Sequence, residues 1–134
     1  MRFGLDLGGT KMEAVIIDDS GAIVWRERRP TPAADYHAII ESIGALVAKA
    51  DTQAGKPVSV GIGMPGSLSP QTGLVRNSNT LSLNGQPIKQ DLQNHFPTVV
   101  PEVLISRICG TIWNCILQIS QNNCKQFKVR TRTC

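Results

Sequence analysis

The hydrophobic and polar positions of this 134-residue chain fall into short blocks whose period changes along the sequence. The run Phe3-Gly4-Leu5-Asp6-Leu7 predicts a first strand, closed by Gly8-Gly9. Residues 11–17 predict a second, with Met12, Ala14 and Ile16 on one face and Val15 and Ile17 on the other, so that both faces are covered. Asp18-Asp19-Ser20-Gly21 has the residues of a hairpin turn. Residues 22–28 return as a third strand, apolar at Ile23, Val24 and Trp25 and then charged, ended by Pro30 and Pro32. The period then lengthens. Between residues 35 and 50, Tyr36, Ile39, Ile40, Ile43, Leu46, Val47 and Ala50 form the stripe of one buried helix face. Asp35 suits the positive end of that helix, and Gly55 and Pro57 break it. Residues 58–63 predict a buried strand ending in Met64-Pro65-Gly66, and residues 67–80 a polar loop. Ile88, Leu92 and Phe96, spaced by four, predict a short helix that Pro97 stops. Strand, strand, strand, helix, strand is the order of an α/β fold with a mixed sheet.

Composition refines this picture. Hydrophobic residues make up 41% and charged residues 18%, which fits one globular domain and not a disordered chain. Aromatics are only 4%, too few for a stacking platform that binds single-stranded nucleic acid. The net charge of +4 invites a nucleic-acid partner, but it is unevenly placed. Residues 1–97 carry nine basic and nine acidic side chains, whereas residues 98–134 carry five basic ones against Glu102 alone. Cys109, Cys115, Cys124 and Cys134, all the cysteines of the chain, also follow residue 97. The sequence therefore divides into residues 1–97 and a tail, 98–134. Asp6 interrupts the first apolar run, so no signal peptide is expected, and no stretch of about 20 apolar residues is present to span a membrane. The expected protein is cytoplasmic, with neither nucleic acid nor membrane as partner.

Three segments carry candidate chemistry. In Asp6-Leu7-Gly8-Gly9-Thr10-Lys11 the glycines let main-chain N–H groups approach phosphate oxygens, Thr10 adds a hydroxyl and Lys11 a charge. Asp6 at the strand end suits a hydrated Mg2+, which leans on few carboxylates. The plain alternative is a Gly-Gly hairpin turn with a solvated lysine; it leaves unexplained a carboxylate at a buried strand end. Gly61-Ile62-Gly63-Met64-Pro65-Gly66 satisfies G-x-G-x-x-G by letter. It lacks the helix that a dinucleotide site needs at its last glycines, and the acid about 20 residues on. Its readings are a tight strand-to-loop turn or a backbone wall against a small polar ligand. Asn77-Ser78-Asn79-Thr80 offers uncharged donors and acceptors suited to a hydroxyl-rich ligand such as a sugar, or forms an ordinary polar turn.

Taken in order over residues 2–97, these segments resemble the N-terminal part of a ROK-family sugar kinase. The run Asn77-Ser78-Asn79-Thr80-Leu81-Ser82-Leu83-Asn84-Gly85 is most similar to the bacterial fructokinase or mannofructokinase branch. The resemblance implies the first lobe of an actin/hexokinase-like (ribonuclease-H-like) fold, and ATP-dependent phosphorylation of a hexose, fructose foremost. It places Gly4, Leu5, Asp6, Leu7, Gly8, Gly9, Thr10 and Lys11 along the ATP phosphates, with Mg2+ at Asp6, and Gly66, Ser67 and Asn79 near the sugar. The family's catalytic aspartate segment, its zinc segment and its second lobe have no counterpart. Residues 103–134 contain no Asp or Glu. No catalytic residue is therefore assigned, and neither turnover nor the family's homodimer is expected of this chain. A non-enzymatic sugar- or phosphate-binding fragment is the alternative. A ROK-type repressor is disfavoured, because a phosphate loop that starts at Gly4 leaves no room before it for a helix-turn-helix.

The tail matches none of this. Its cysteines form no CxxC pair, which argues against a zinc site. The rise in cysteine and the loss of acids are what a shifted reading frame or a fusion junction near Pro97-Thr98 produces.

Overall fold

The computed structural model describes residues 1–95 and the strand Glu102–Ile105. In chain order the elements are β1 (Arg2–Leu7), β2 (Lys11–Ile17), β3 (Ile23–Pro30), α1 (Tyr36–Ala54), β4 (Ser59–Met64), β5 (Ser67–Leu68), β6 (Val75–Arg76), α2 (Ile88–His95) and β7 (Glu102–Ile105). A single 3-10 turn, Leu81–Leu83, precedes α2. Five strands make one sheet in the order β3-β2-β1-β4-β7. β1–β2 and β2–β3 are antiparallel, while β1–β4 and β4–β7 are parallel. The mixed sheet expected from the element order is thus present. α1 makes the crossover that lets β4 run alongside β1.

Register decides which side chains enter the core. Phe3, Leu5 and Leu7 stand opposite Ile16, Ala14 and Met12 on β2, and Phe3 and Leu5 opposite Val60 and Ile62 on β4. All of these pack with Ile39, Ile40, Ile43, Leu46 and Val47 of α1 in one cluster. The other face of β1 presents Arg2, Gly4 and Asp6, level with Ser59, Gly61 and Gly63 of β4. β2 is buried on both faces, as its sequence predicts; Val15 and Ile17 form a separate small cluster with Ile23.

α1 starts where expected: the Asp35 carboxylate accepts from Ala38 N–H at 3.2 Å. It runs past residue 50, through a polar last turn, to Gly55. Asp51 in that turn accepts from Val58 N–H at 2.9 Å, tying the helix end to the approach of β4. Tyr36 donates its hydroxyl to Asp91 Oδ2 at 2.6 Å and so joins α1 to α2. The segment expected as a loop, residues 67–80, contains the hairpin β5–β6, in which Ser67 pairs with Arg76 and Leu68 with Val75. Phe96, Pro97 and the tail other than β7 lie outside the described residues. β7 falls within the segment expected to be separate, and it pairs with β4 from Gly61↔Glu102 to Met64↔Ile105. Among the described residues, no helix is long and apolar enough to cross a membrane.

Candidate functional site

Because β1 and β4 are parallel, the segments that follow them leave the sheet at the same edge, the usual place for ligands in open α/β sheets. After β1 the chain makes the turn Gly8-Gly9-Thr10 into β2. Gly8 N–H donates to Lys11 O at 3.0 Å, and a Cβ on Gly8 would lie 2.6 Å from that oxygen, so only glycine fits. Buried Thr31 clamps the turn from outside: its N–H donates to Thr10 O at 3.0 Å and its hydroxyl to Gly8 O at 2.9 Å. Among the described residues no acceptor is paired with the N–H of Gly9 or Thr10. The turn is thus a β-hairpin, and a hairpin with two adjacent N–H groups left for an anion.

After β4, Gly66 adopts φ 110°, and a Cβ there would come within 2.8 Å of Arg76 O and 3.1 Å of Ser78 N. This close approach sets the following polar segment against the turn. Asn77 takes a left-handed φ of 57°, which Asn tolerates. Asn84 brackets the buried Ser78, its Oδ1 accepting from Ser78 N–H at 2.9 Å and its Nδ2 donating to Ser78 O at 3.0 Å. Ser78 Oγ then accepts from Thr80 N–H at 3.2 Å. Held this way, Thr80 Oγ1 lies 3.5 Å and Asn79 Oδ1 4.0 Å from where a Cβ on Gly9 would be. The phosphate-type turn and the sugar-type segment are therefore neighbours, across 70 residues of sequence.

Asp6 is half-buried and stands opposite Glu13 on β2 and Gly63 on β4. Burial, and then the charge of Glu13, raises its carboxyl above the usual aspartate range. Glu13 is itself buried, which works against its charge, yet hydrogen bonds from Arg26 and Arg28 on β3 hold its carboxyl low. Arg28 Nη2 lies 3.0 Å from Glu13 Oε2, and Arg26 pairs with Oε1. Among the described residues there is no cluster of three or more ligating side chains, so a metal here would not be caged by protein. One carboxylate with free main-chain N–H groups beside it suits a hydrated Mg2+ carried by phosphates.

Of the residues singled out from sequence, Asp6, Gly8, Gly9, Thr10, Lys11, Gly66, Ser67 and Asn79 lie at this edge or border it. Leu5 and Leu7 instead point into the core, and Gly4 is buried in mid-strand opposite Gly61. Ser67 Oγ accepts from Arg76 Nε at 3.3 Å, and Asn79 is exposed. Sequence reasoning missed Thr31 and the Glu13–Arg26–Arg28 group; it named Thr80 within the polar segment but not its burial against the turn. Glu13 inside an otherwise apolar strand was the one available signal.

A mixed five-stranded sheet with a glycine turn at the carboxyl end of its parallel pair defines the first lobe of an actin/hexokinase-like, ribonuclease-H-like fold. The chain belongs to the ROK family, whose model matches residues 2–103. It is 40% identical over 92 residues to an N-acetyl-D-glucosamine kinase of Yersinia pseudotuberculosis serotype O:3 (strain YPIII), covering 69% of this chain and 30% of that protein. Against an N-acetyl-D-glucosamine kinase of Salmonella heidelberg (strain SL476) the identity is 38%, with the same coverage. A ROK family glucokinase from Streptomyces griseus, solved in complex with glucose and AMPPNP, superposes with a TM-score of 0.62 at 27% identity, over 79% of this chain and 32% of that one. The chain thus spans about a third of the length of the relatives it matches.

Proposed function

We propose that the described lobe is the phosphate- and sugar-facing part of an ATP-dependent hexose kinase. The observation that carries this reading is the close approach of Asn79 and Thr80 to the Gly9 turn, which sets an anion cradle beside a neutral polar segment. In this reading Gly9 and Thr10 N–H groups hold phosphate oxygens, Asp6 holds a hydrated Mg2+, and Gly66, Ser67 and Asn79 face the sugar hydroxyls. The metal supplies charge neutralisation to the phosphates when bound. The residues of this chain supply position: the Thr31 bonds to Gly8 O and Thr10 O and the Gly8 bond to Lys11 O hold both ends of the turn, so that only the Gly9–Thr10 peptide is left to adjust to the ligand.

The identity to N-acetyl-D-glucosamine kinases favours that amino sugar as the first substrate to test. Fructose rests only on the run from Asn77 to Gly85. The carboxylate base that would take the proton from a sugar hydroxyl is not supplied by residues 103–134, which hold no Asp or Glu. We therefore read the chain as a binding part without turnover of its own. We further read the segment that follows β7 as the product of a shifted frame or a fusion. The family match to residue 103 and the pairing of β7 with β4 favour a junction after β7. Translating the coding DNA in the other two frames tests it, an acid-Asn-Asp-Ala segment being the expected find.

Calorimetric titration of the chain with N-acetyl-D-glucosamine, glucose, mannose and fructose, each with and without MgATP, tests the main reading. Binding of MgATP and of at least one sugar is expected, with no product in a coupled assay. No heat with any ligand would overturn the binding role. Turnover abolished by Asp6→Ala would overturn the reading of a part without turnover.

A further inference from the structure

Among the described residues, a side-chain hydroxyl and a carbonyl where the turn approaches the sugar-side segment have no partner. Thr80 is 2% exposed, and no described residue makes a hydrogen bond to its Oγ1. Of the carbonyls in the turn, Gly8 O accepts from the Thr31 hydroxyl, Thr10 O from Thr31 N–H and Lys11 O from Gly8 N–H. Among the described residues no donor reaches Gly9 O. Thr80 Oγ1 is 3.5 Å from the Cβ position of Gly9, so a lone donor and a lone acceptor sit on facing segments. A hydroxyl buried without a partner destabilises the fold that holds it, and is expected to have one in some state of the protein.

The geometry points to Thr80 as a positioning residue for the phosphate turn. This rests on the phosphate role proposed above for the turn. A trans peptide carries its carbonyl and its N–H on opposite sides. When an anion draws the Thr10 N–H outward, the same peptide unit turns the Gly9 carbonyl inward, toward the Thr80 hydroxyl. The hydroxyl donates to that carbonyl, and the peptide is held with its N–H on the anion. Thr80 touches no ligand itself; with under 1 Å² of its oxygen exposed, it acts through the turn. Asn79, one residue before it, faces outward. Anion binding at the turn therefore also fixes the segment that carries the sugar-side amide, so that nucleotide and sugar favour the same arrangement.

The test is a titration of the 15N-labelled full chain with sodium tripolyphosphate, reading the Gly9 and Thr10 amide resonances in wild type, Thr80→Val and Thr80→Ser. Thr80→Val removes the hydroxyl at nearly constant shape. It is expected to weaken the titration by about tenfold, the loss of one hydrogen bond that forms only in the bound state. Its ligand-free melting temperature is expected to equal or exceed that of wild type, because an unpartnered buried hydroxyl has been removed. Thr80→Ser keeps the donor and restores wild-type affinity. Wild-type affinity in Thr80→Val, or a ligand-free melting temperature below that of wild type, would overturn the inference alone, the latter by showing a structural partner for the hydroxyl. No response of the wild-type amides would overturn the phosphate role of the turn, and this inference with it.

Discussion

Adding one methyl group to each of the two adjacent glycines of the turn should have opposite consequences. In Gly8→Ala the new Cβ would meet the Lys11 carbonyl at 2.6 Å, a backbone atom that cannot move aside. The turn must open, and the bond from Gly8 N–H to Lys11 O, 3.0 Å long, is the first lost. The 2.9 Å bond from the Thr31 hydroxyl to Gly8 O goes with it. Two hydrogen bonds at about 1 kcal/mol each give a loss of about 2 kcal/mol. For a domain of this size that is a fall of roughly 10 °C in melting temperature. In Gly9→Ala the Cβ would lie 3.5 Å from Thr80 Oγ1 and 4.0 Å from Asn79 Oδ1, both ordinary contacts, and the Gly9 φ is outside the left-handed region. Its stability should stay within about 0.5 kcal/mol of wild type. Thermal melts followed by circular dichroism, with urea titration as a second measure, separate the two. Equal destabilisation by both variants would refute the turn geometry, since sequence alone treats the two glycines alike.

Three further substitutions test the electrostatics and the helix contact. Burial and the Glu13 charge raise the Asp6 pKa above its ordinary 3.8, so folding favours the protonated form and the ionised group lowers stability once the pH exceeds the folded value. Asp6→Asn should therefore melt higher than wild type at neutral pH, with the gain gone well below 3.8; a lower melting temperature at neutral pH would contradict it. Glu13→Gln removes that neighbouring charge and releases two arginines, so the Asp6 carboxyl, followed by 13C NMR, should titrate at lower pH; an unchanged midpoint would count against the pairing. Tyr36→Phe deletes the 2.6 Å bond to Asp91 between the helices and should cost about 1.5 kcal/mol in urea unfolding; no change would mean that water replaces the hydroxyl.

What the sequence made legible followed from local pattern. The stripe from Tyr36 to Ala50 places α1 and its buried face correctly, because tertiary packing acts on that same stripe. The last turn of α1, Asp51 to Ala54, is polar and gives no stripe to follow; it is held instead by the Gly55 end and the Asp51 bond to Val58. β5 and β6 have two residues each, too few for an alternating pattern. β7 was hidden by the shift in composition after residue 97, although Val103-Leu104-Ile105 is itself an apolar run. At the site, Gly8, Gly9 and Asn79 could be found by residue type. Thr31, which reaches Gly8 across 23 positions, and Arg28, which reaches Glu13 across 15, could not. Their roles come from sheet register and from the return of the chain after β3, neither of which is written in any one segment.

The placement of charge around β1 explains why Asp6 stays costly. Arg26 and Arg28 lie on the same sheet face as Asp6, since each stands opposite a β2 residue of that face. Either could have lowered its carboxyl, but both bind Glu13, the residue directly between Asp6 and β3. Glu13 thus has two effects of the same sign on Asp6: it repels the Asp6 charge and it keeps the arginines engaged one strand away. A carboxylate placed so is unfavourable in the ligand-free fold and becomes favourable when a cation arrives beside it. In a core selected for stability alone an asparagine at position 6 would serve better. The carboxylate beside an N–H turn is what one would expect if the stability lost in the free lobe is recovered on binding a cation together with phosphate.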